Sequence, residues 1–130
     1  MDDLYREQIL DRYKNPRNRG TLSPADISYE DENPLCGDRL HLDIRLGPDQ
    51  RVEAVAFNGH GCAISQASAD LLADEIRGKT LDELRHFDKE HLLELLGIEL
   101  SPVRLKCALL SLKVLKAGAY GLEHWTGEDE

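Results

Sequence analysis

Three cysteines, Cys36, Cys62 and Cys107, and one aspartate, Asp38, are the residues of this chain whose types and local settings suit metal or sulfur chemistry. Cys36-Gly37-Asp38 sets a thiol and a carboxylate two residues apart around a glycine. In an extended segment both side chains then point the same way, which suits two ligands of one metal. Pro34 stiffens the approach, and the pair leads directly into a strand that can hold it. A turn cysteine beside a solvated aspartate has the same local sequence. Cys62 follows Gly61 and opens a helix, so its sulfur faces unpaired backbone N–H groups and the positive end of the helix dipole. Both lower a thiol pKa, and the thiolate is the species that ligates metal and attacks sulfur. A small buried residue that caps nothing is the plainer alternative. Cys107 falls in the second turn of the last helix, on a stripe with Val103, Leu110 and Val114, and that stripe by itself reads as core.

No C-x-x-C pair and no close histidine pair occurs, so a metal site must be assembled from three distant segments. Three thiols and one hard oxygen can hold zinc tetrahedrally, or anchor an iron–sulfur cluster that the non-cysteine ligand holds less tightly. Spacing does not choose between them. Other chemistries find no support. Gly59-His60-Gly61 would need a third glycine at Ile64 to bind a dinucleotide, and neither Ser65 nor Ser68 sits in a nucleophile elbow. His41, His60, His86, His91 and His124 stand singly; His60 adjoins a candidate ligand and reads as a surface or neighbouring residue, the others as surface positions.

A formal charge of −9 argues against a nucleic-acid partner, although Lys14, Arg17 and Arg19 cluster near the N-terminus. No apolar run approaches the ~20 residues of a bilayer span, and Met1-Asp2-Asp3 lacks a basic leader, so no membrane partner and a cytoplasmic location are expected. An odd number of cysteines there argues for reduced thiols.

The elements that must position these residues follow from periodicity. Tyr5, Ile9 and Tyr13 predict a first helix over Asp2 to Lys14, stopped by Asn15-Pro16 and Gly20. Leu40, Leu42, Ile44 and Leu46 alternate with His41, Asp43 and Arg45, which predicts a half-buried strand. Gly47-Pro48-Asp49-Gln50 turns it into a second strand over Arg51 to Phe57, and Ile27 to Tyr29 carries a weaker strand signal. Ala69, Leu72, Ala73 and Ile76 take helical spacing up to Gly78. Thr80-Leu81-Asp82-Glu83 has capping-box spacing, and a short helix over Asp88 to Leu96 ends at Gly97. Ser101-Pro102 starts a final helix to Ala117 or Tyr120, with Leu105, Leu109 and Leu112 as its main buried stripe. The order predicts one domain over 1–130, of α+β class, with a small antiparallel sheet covered on one face by helices.

Asn33-Pro34-Leu35-Cys36-Gly37-Asp38, Gly59-His60-Gly61-Cys62-Ala63-Ile64-Ser65 and Arg104-Leu105-Lys106-Cys107 together resemble the iron–sulfur cluster assembly scaffold family that includes NifU N-terminal domains, IscU and SufU. Tyr13-Lys14-Asn15-Pro16-Arg17-Asn18-Arg19-Gly20 is similar to the family's opening helix and loop, so the resemblance runs from about Leu4 to Leu115. It implies a three-stranded antiparallel sheet with helices on one side (SufE/NifU-like) and a site gathering Cys36, Asp38, Cys62 and Cys107. It implies zinc, or iron and a labile [2Fe-2S] cluster, in that site, with Asp38 the weak ligand. The partners implied are a pyridoxal-phosphate cysteine desulfurase and apo iron–sulfur proteins or carriers. IscU-type proteins have His immediately before the last cysteine; Lys106 stands here, as in SufU-type proteins, and Ala63-Ile64-Ser65 is SufU-like too. The short span from Cys62 to Cys107 instead resembles IscU, lacking the insertion typical of SufU. Leu100 to Arg104 resembles the chaperone-recognition segment of IscU but departs from it at Ser101 and Arg104. The expected function is a cluster scaffold that accepts sulfur from the desulfurase; the alternatives are a SufU-type zinc-dependent sulfur acceptor and, from another class, a zinc-stabilised interaction domain. The precedents point to Cys36 (SufU) or Cys107 (IscU) as sulfur acceptor.

Overall fold

The alternating run beginning at Leu40 becomes the central strand of a three-stranded antiparallel sheet in the computed structural model, which describes residues 2–33, 37–97 and 99–120, with the backbone alone at 2–5, 103 and 120. The elements are α1 (Asp2–Lys14), β1 (Ile27–Asn33), β2 (Asp38–Leu46), β3 (Val52–His60), α2 (Ala63–Ile76), α3 (Leu81–Arg85), α4 (Lys89–Leu96) and α5 (Pro102–Tyr120). Sheet order is β1-β2-β3. Leu42 stands opposite Tyr29 and Phe57, and Ile44 opposite Ile27 and Val55, so one face of all three strands is apolar. On it lie α2 and α5, which bring Leu72, Ile76, Leu112 and Leu115 into the main core. A smaller cluster of Ile9, Ile64, Ala67, Leu71, Leu96 and Ala108 joins α1 to the helical layer. The class is α+β, as expected. None of the described helices is long and apolar enough to cross a membrane.

Cap chemistry sets the helix ends as the sequence predicts. Thr80 and Glu83 form a reciprocal capping box, Asp88 accepts the His91 N–H, and Gly97 closes α4 in the left-handed conformation. Three expectations change. β1 runs four residues beyond Tyr29, because its main-chain ladder to β2 continues to Asn33 despite three acidic residues, one of which, Asp31, meets Lys113 at 3.1 Å. β3 continues from Phe57 to His60, since Gly59 at φ +140° lets it cross the Arg39 carbonyl, where a Cβ would lie 2.1 Å from the oxygen. Tyr13 is 45% exposed, because α1 buries Ile9 and turns Tyr13 outward.

The outer face of the sheet is polar. Asp43 is buried there and accepts hydrogen bonds from Ser28 Oγ (2.7 Å), His41 Nε2 (2.8 Å) and the Leu22 N–H (3.1 Å). Burial pushes its carboxyl up, but the Ser28, Leu22 and His41 hydrogen bonds outweigh that and hold it below its usual value of 3.8. A depressed folded value gives stability that is complete above the unfolded value and is lost as pH falls through the lower folded one. Asp43→Ala is therefore expected to cost about 1–3 kcal/mol at pH 7, by removing three charge-assisted, partly buried hydrogen bonds. In urea titrations the stability gap between pH 7 and pH 2.5 should narrow in the variant; an unchanged gap would contradict the assignment.

Candidate metal centre

Cys62 is the N-cap of α2, extended at φ −72° and ψ 169°, and its sulfur accepts the Ser65 N–H at 3.5 Å. β3 delivers it there. Arg39 pairs with His60 in the ladder, so Asp38, the first residue of β2, comes level with Gly61. The Asp38 side chain is 0% exposed, and its Oδ1 accepts the Cys62 N–H at 3.0 Å. Glycine at 61 makes this approach possible: a Cβ there would stand 2.3 Å from Asp38 Oδ1 and 3.0 Å from Ser65 Oγ. Gly61→Ala should thus push the carboxylate off the Cys62 amide and destabilise the fold by about 1–3 kcal/mol. Thermal melts read the effect; a variant as stable as the parent would exclude so tight a contact.

Cys107, 3% exposed on α5, completes the group. One ligand atom each from Asp38, Cys62 and Cys107 lies within 4.8 Å of the others, with Cys62 Sγ 3.9 Å from Asp38 Oδ2. In a tetrahedron of zinc–sulfur and zinc–oxygen bonds, neighbouring donors sit about 3.3–3.8 Å apart. The observed spacing therefore fits such an ion with small side-chain adjustment, and two thiols with a carboxylate are a donor set that zinc or iron accepts. Cys36, the fourth expected ligand, lies outside the described residues. Cys107 is buried along with its stripe neighbours Leu110 and Val114, and its sulfur still lies with the other two candidate ligand atoms.

None of the described histidines belongs to this cluster. His60 is exposed, and His86 is exposed with its ring bonded to the Asp82 carbonyl. The other two surface positions are only partly exposed and have partners: His41 lies between Glu30 and Asp43, and His91 stacks on Phe87 at 4.6 Å and meets Glu75 at 2.9 Å. His124 lies outside the described residues. Lys106 and Arg104 are exposed beside Cys107.

Sequence reasoning missed the anchor of α2. Asp70 is 0% exposed and accepts the Arg17 and Asn18 N–H groups at 2.9 Å each, the Asn18 amide at 3.1 Å and the Arg12 guanidinium at 2.8 Å. It clamps the Asn15–Gly20 loop and the end of α1 onto the helix that carries Cys62. Beside it, Arg19 bridges Gln66 Oε1 (2.8 Å) and the Gly59 carbonyl (2.7 Å). A charged residue inside the apolar run from Ala67 to Ala73 was the available signal.

Residues 4–127 match the profile of the NifU-like N-terminal domain. The chain is 38% identical to the zinc-dependent sulfurtransferase SufU of Bacillus subtilis, over 91% of this chain and 90% of that protein. It is 33% identical to the iron–sulfur cluster assembly scaffold protein IscU of Haemophilus influenzae, over 87% of this chain and 90% of that one. A crystal structure assigned to the scaffold protein of a SUF system in Fervidobacterium islandicum superposes with a TM-score of 0.74 at 31% identity, covering 87% of this chain and 94% of that one.

Proposed function

Because the chain belongs to the family of the NifU-like N-terminal domain, a family of iron–sulfur cluster assembly, we propose that it is a zinc-dependent acceptor of sulfur from a cysteine desulfurase, with Cys36, Asp38, Cys62 and Cys107 as the zinc ligands. The observation that carries this reading is the convergence of Asp38, Cys62 and Cys107 ligand atoms within 4.8 Å at a helix N-terminus. Three thiolates and a carboxylate complete a tetrahedral zinc set without the histidine for which Lys106 is substituted. The order of the two main readings thus reverses from that expected on sequence: the SufU relative is the more similar, at 38% against 33% for the IscU relative.

Zinc bound there would keep the thiols ionised at neutral pH. The acceptor thiolate then attacks the outer sulfur of the persulfide on the desulfurase. A new S–S bond forms, the old one breaks, and the desulfurase cysteine leaves as thiolate, with no net oxidation. Cys107, at 3% exposure in the wall of α5, is a fixed ligand, and the sulfur of Cys62 is tied to the Ser65 amide. Cys36 is accordingly the acceptor. The pyridoxal phosphate belongs to the desulfurase, and the sulfur passes on to apo iron–sulfur proteins or carriers in the cytoplasm.

Desulfurase turnover of cysteine, measured with the zinc-loaded and the chelated protein, tests this. Acceleration by the loaded form alone, with one added sulfur on the Cys36 peptide by mass spectrometry, is expected. No acceleration and no labelled cysteine would refute it. The second reading, a labile [2Fe-2S] scaffold, is favoured by Asp38, a hard oxygen among thiols, and by the IscU relative. Anaerobic incubation with ferrous iron, cysteine and desulfurase should then produce cluster absorption bands that move to an apo-ferredoxin, and Asp38→Ala should retain the cluster longer.

A further inference from the structure

Two helix starts in this chain can be compared atom by atom. At α3 the capping box is closed: Thr80 Oγ1 accepts the Glu83 N–H at 3.2 Å, and Glu83 Oε1 accepts the Thr80 N–H at 2.8 Å. At α2 half the same arrangement exists. Cys62 Sγ accepts the N–H of Ser65, the third helical residue, but the Cys62 N–H goes to Asp38 Oδ1 at 3.0 Å instead of returning to the Ser65 side chain. Ser65 is 2% exposed, and its Oγ has no hydrogen-bond partner among the described residues. The hydroxyl nevertheless lies close to Gly61, the residue before the cap, 3.0 Å from where its Cβ would be. A buried hydroxyl without a partner is costly, and it sits where a capping box would use it.

We propose that Ser65 is a standby cap, a positioning residue that accepts the Cys62 N–H when the Asp38 carboxylate turns its Oδ1 onto a metal, so that ligation does not leave this half-buried amide unpaired. The inference rests on the metal-binding reading above. Asp38 and Ser65 compete for one N–H. When the carboxylate holds it, the hydroxyl is orphaned; when the carboxylate turns away, a rotation of the Ser65 side chain closes the box. The residue thereby favours the ligated position of Asp38 and makes that position reversible. Its burial leaves it no solvent partner to substitute for this one.

The test is zinc affinity, by chelator competition, for the wild type, Ser65→Ala and Ser65→Thr, each with Asp38 and with Asp38→Ala. Ser65→Ala should weaken zinc binding about tenfold, the worth of one buried hydrogen bond, and Ser65→Thr should restore it. In the Asp38→Ala background, where nothing competes for the amide, Ser65→Ala should change the affinity less than about twofold. The melting point of the chelated Ser65→Ala chain should be unchanged or higher, since it loses only an unpartnered hydroxyl. An equal loss of affinity in both backgrounds would overturn the proposal, as would a lower melting point with unchanged affinity. Zinc binding by the wild type with no Ser65 effect defeats this inference alone; a wild type that binds no zinc defeats the functional reading with it.

Discussion

Cys62→Ala is expected to lower zinc affinity by about 100-fold or more, because it removes one thiolate from a four-ligand set whose total binding free energy in structural zinc sites is on the order of 10–16 kcal/mol. The same substitution strips α2 of its N-cap, a separate loss of about 1 kcal/mol that persists without metal. Two variants separate these losses. Cys62→Ser keeps an oxygen to accept the Ser65 N–H but offers a poor ligand, so it should retain the stability of the chelated chain and still bind zinc weakly. Cys62→Asp supplies a cap and a hard ligand, and should recover part of the affinity. Zinc stoichiometry and chelator competition read the metal term, and urea unfolding of the chelated protein reads the cap term. Full zinc occupancy with unchanged affinity in Cys62→Ala would remove this residue from the ligand set.

Asp70→Ala should be the most destabilising substitution away from the site, at about 3–5 kcal/mol. The carboxylate is fully buried and answers two main-chain amides, the Asn18 side chain and the Arg12 guanidinium together. Removing it leaves the Arg17 and Asn18 main-chain amides without this acceptor, while the Asn18 side chain keeps Asp74 Oδ1 and the Asp70 carbonyl, and the partly buried Arg12 keeps Asp74. Asp70→Asn, which keeps one oxygen for the amides but sets an NH2 group among donors, should lose less. Urea unfolding measures both; a loss below about 1 kcal/mol for Asp70→Ala would show the clamp to be dispensable. Among the molecules that remain folded, zinc affinity should hardly change, since Asp70 lies two turns along α2 from Cys62.

The sheet and helix ends were legible in the sequence because their causes are local. Alternation over Leu40 to Leu46, the Thr80–Glu83 pair, Asp88 and Gly97 each act within a few residues, and each element formed where the pattern put it. β1 was only half legible, since pairing with β2 rather than its own composition sustains Glu30 to Asn33. The candidate site was visible as residue types and as a resemblance, but its closeness was not: Asp38 and Cys62 meet through the β2–β3 register, and Cys107 arrives on a helix far along the chain. The partners of Asp70 and the orphaning of Ser65 were illegible for a related reason. Hydrogen bonds that span about fifty residues leave no periodic trace, and an orphaned hydroxyl is defined only by what surrounds it.

The three candidate ligands Asp38, Cys62 and Cys107 come from the start of the central strand, the cap of α2 and the buried side of α5. Bringing them together closes two long loops, and that entropy is recovered only once the sheet has paired and both helices have docked. An unfolded or half-folded chain therefore offers isolated thiols rather than a chelate. Metal in the proposed site would then report that folding has finished, and a loaded chain would also be a proofread one.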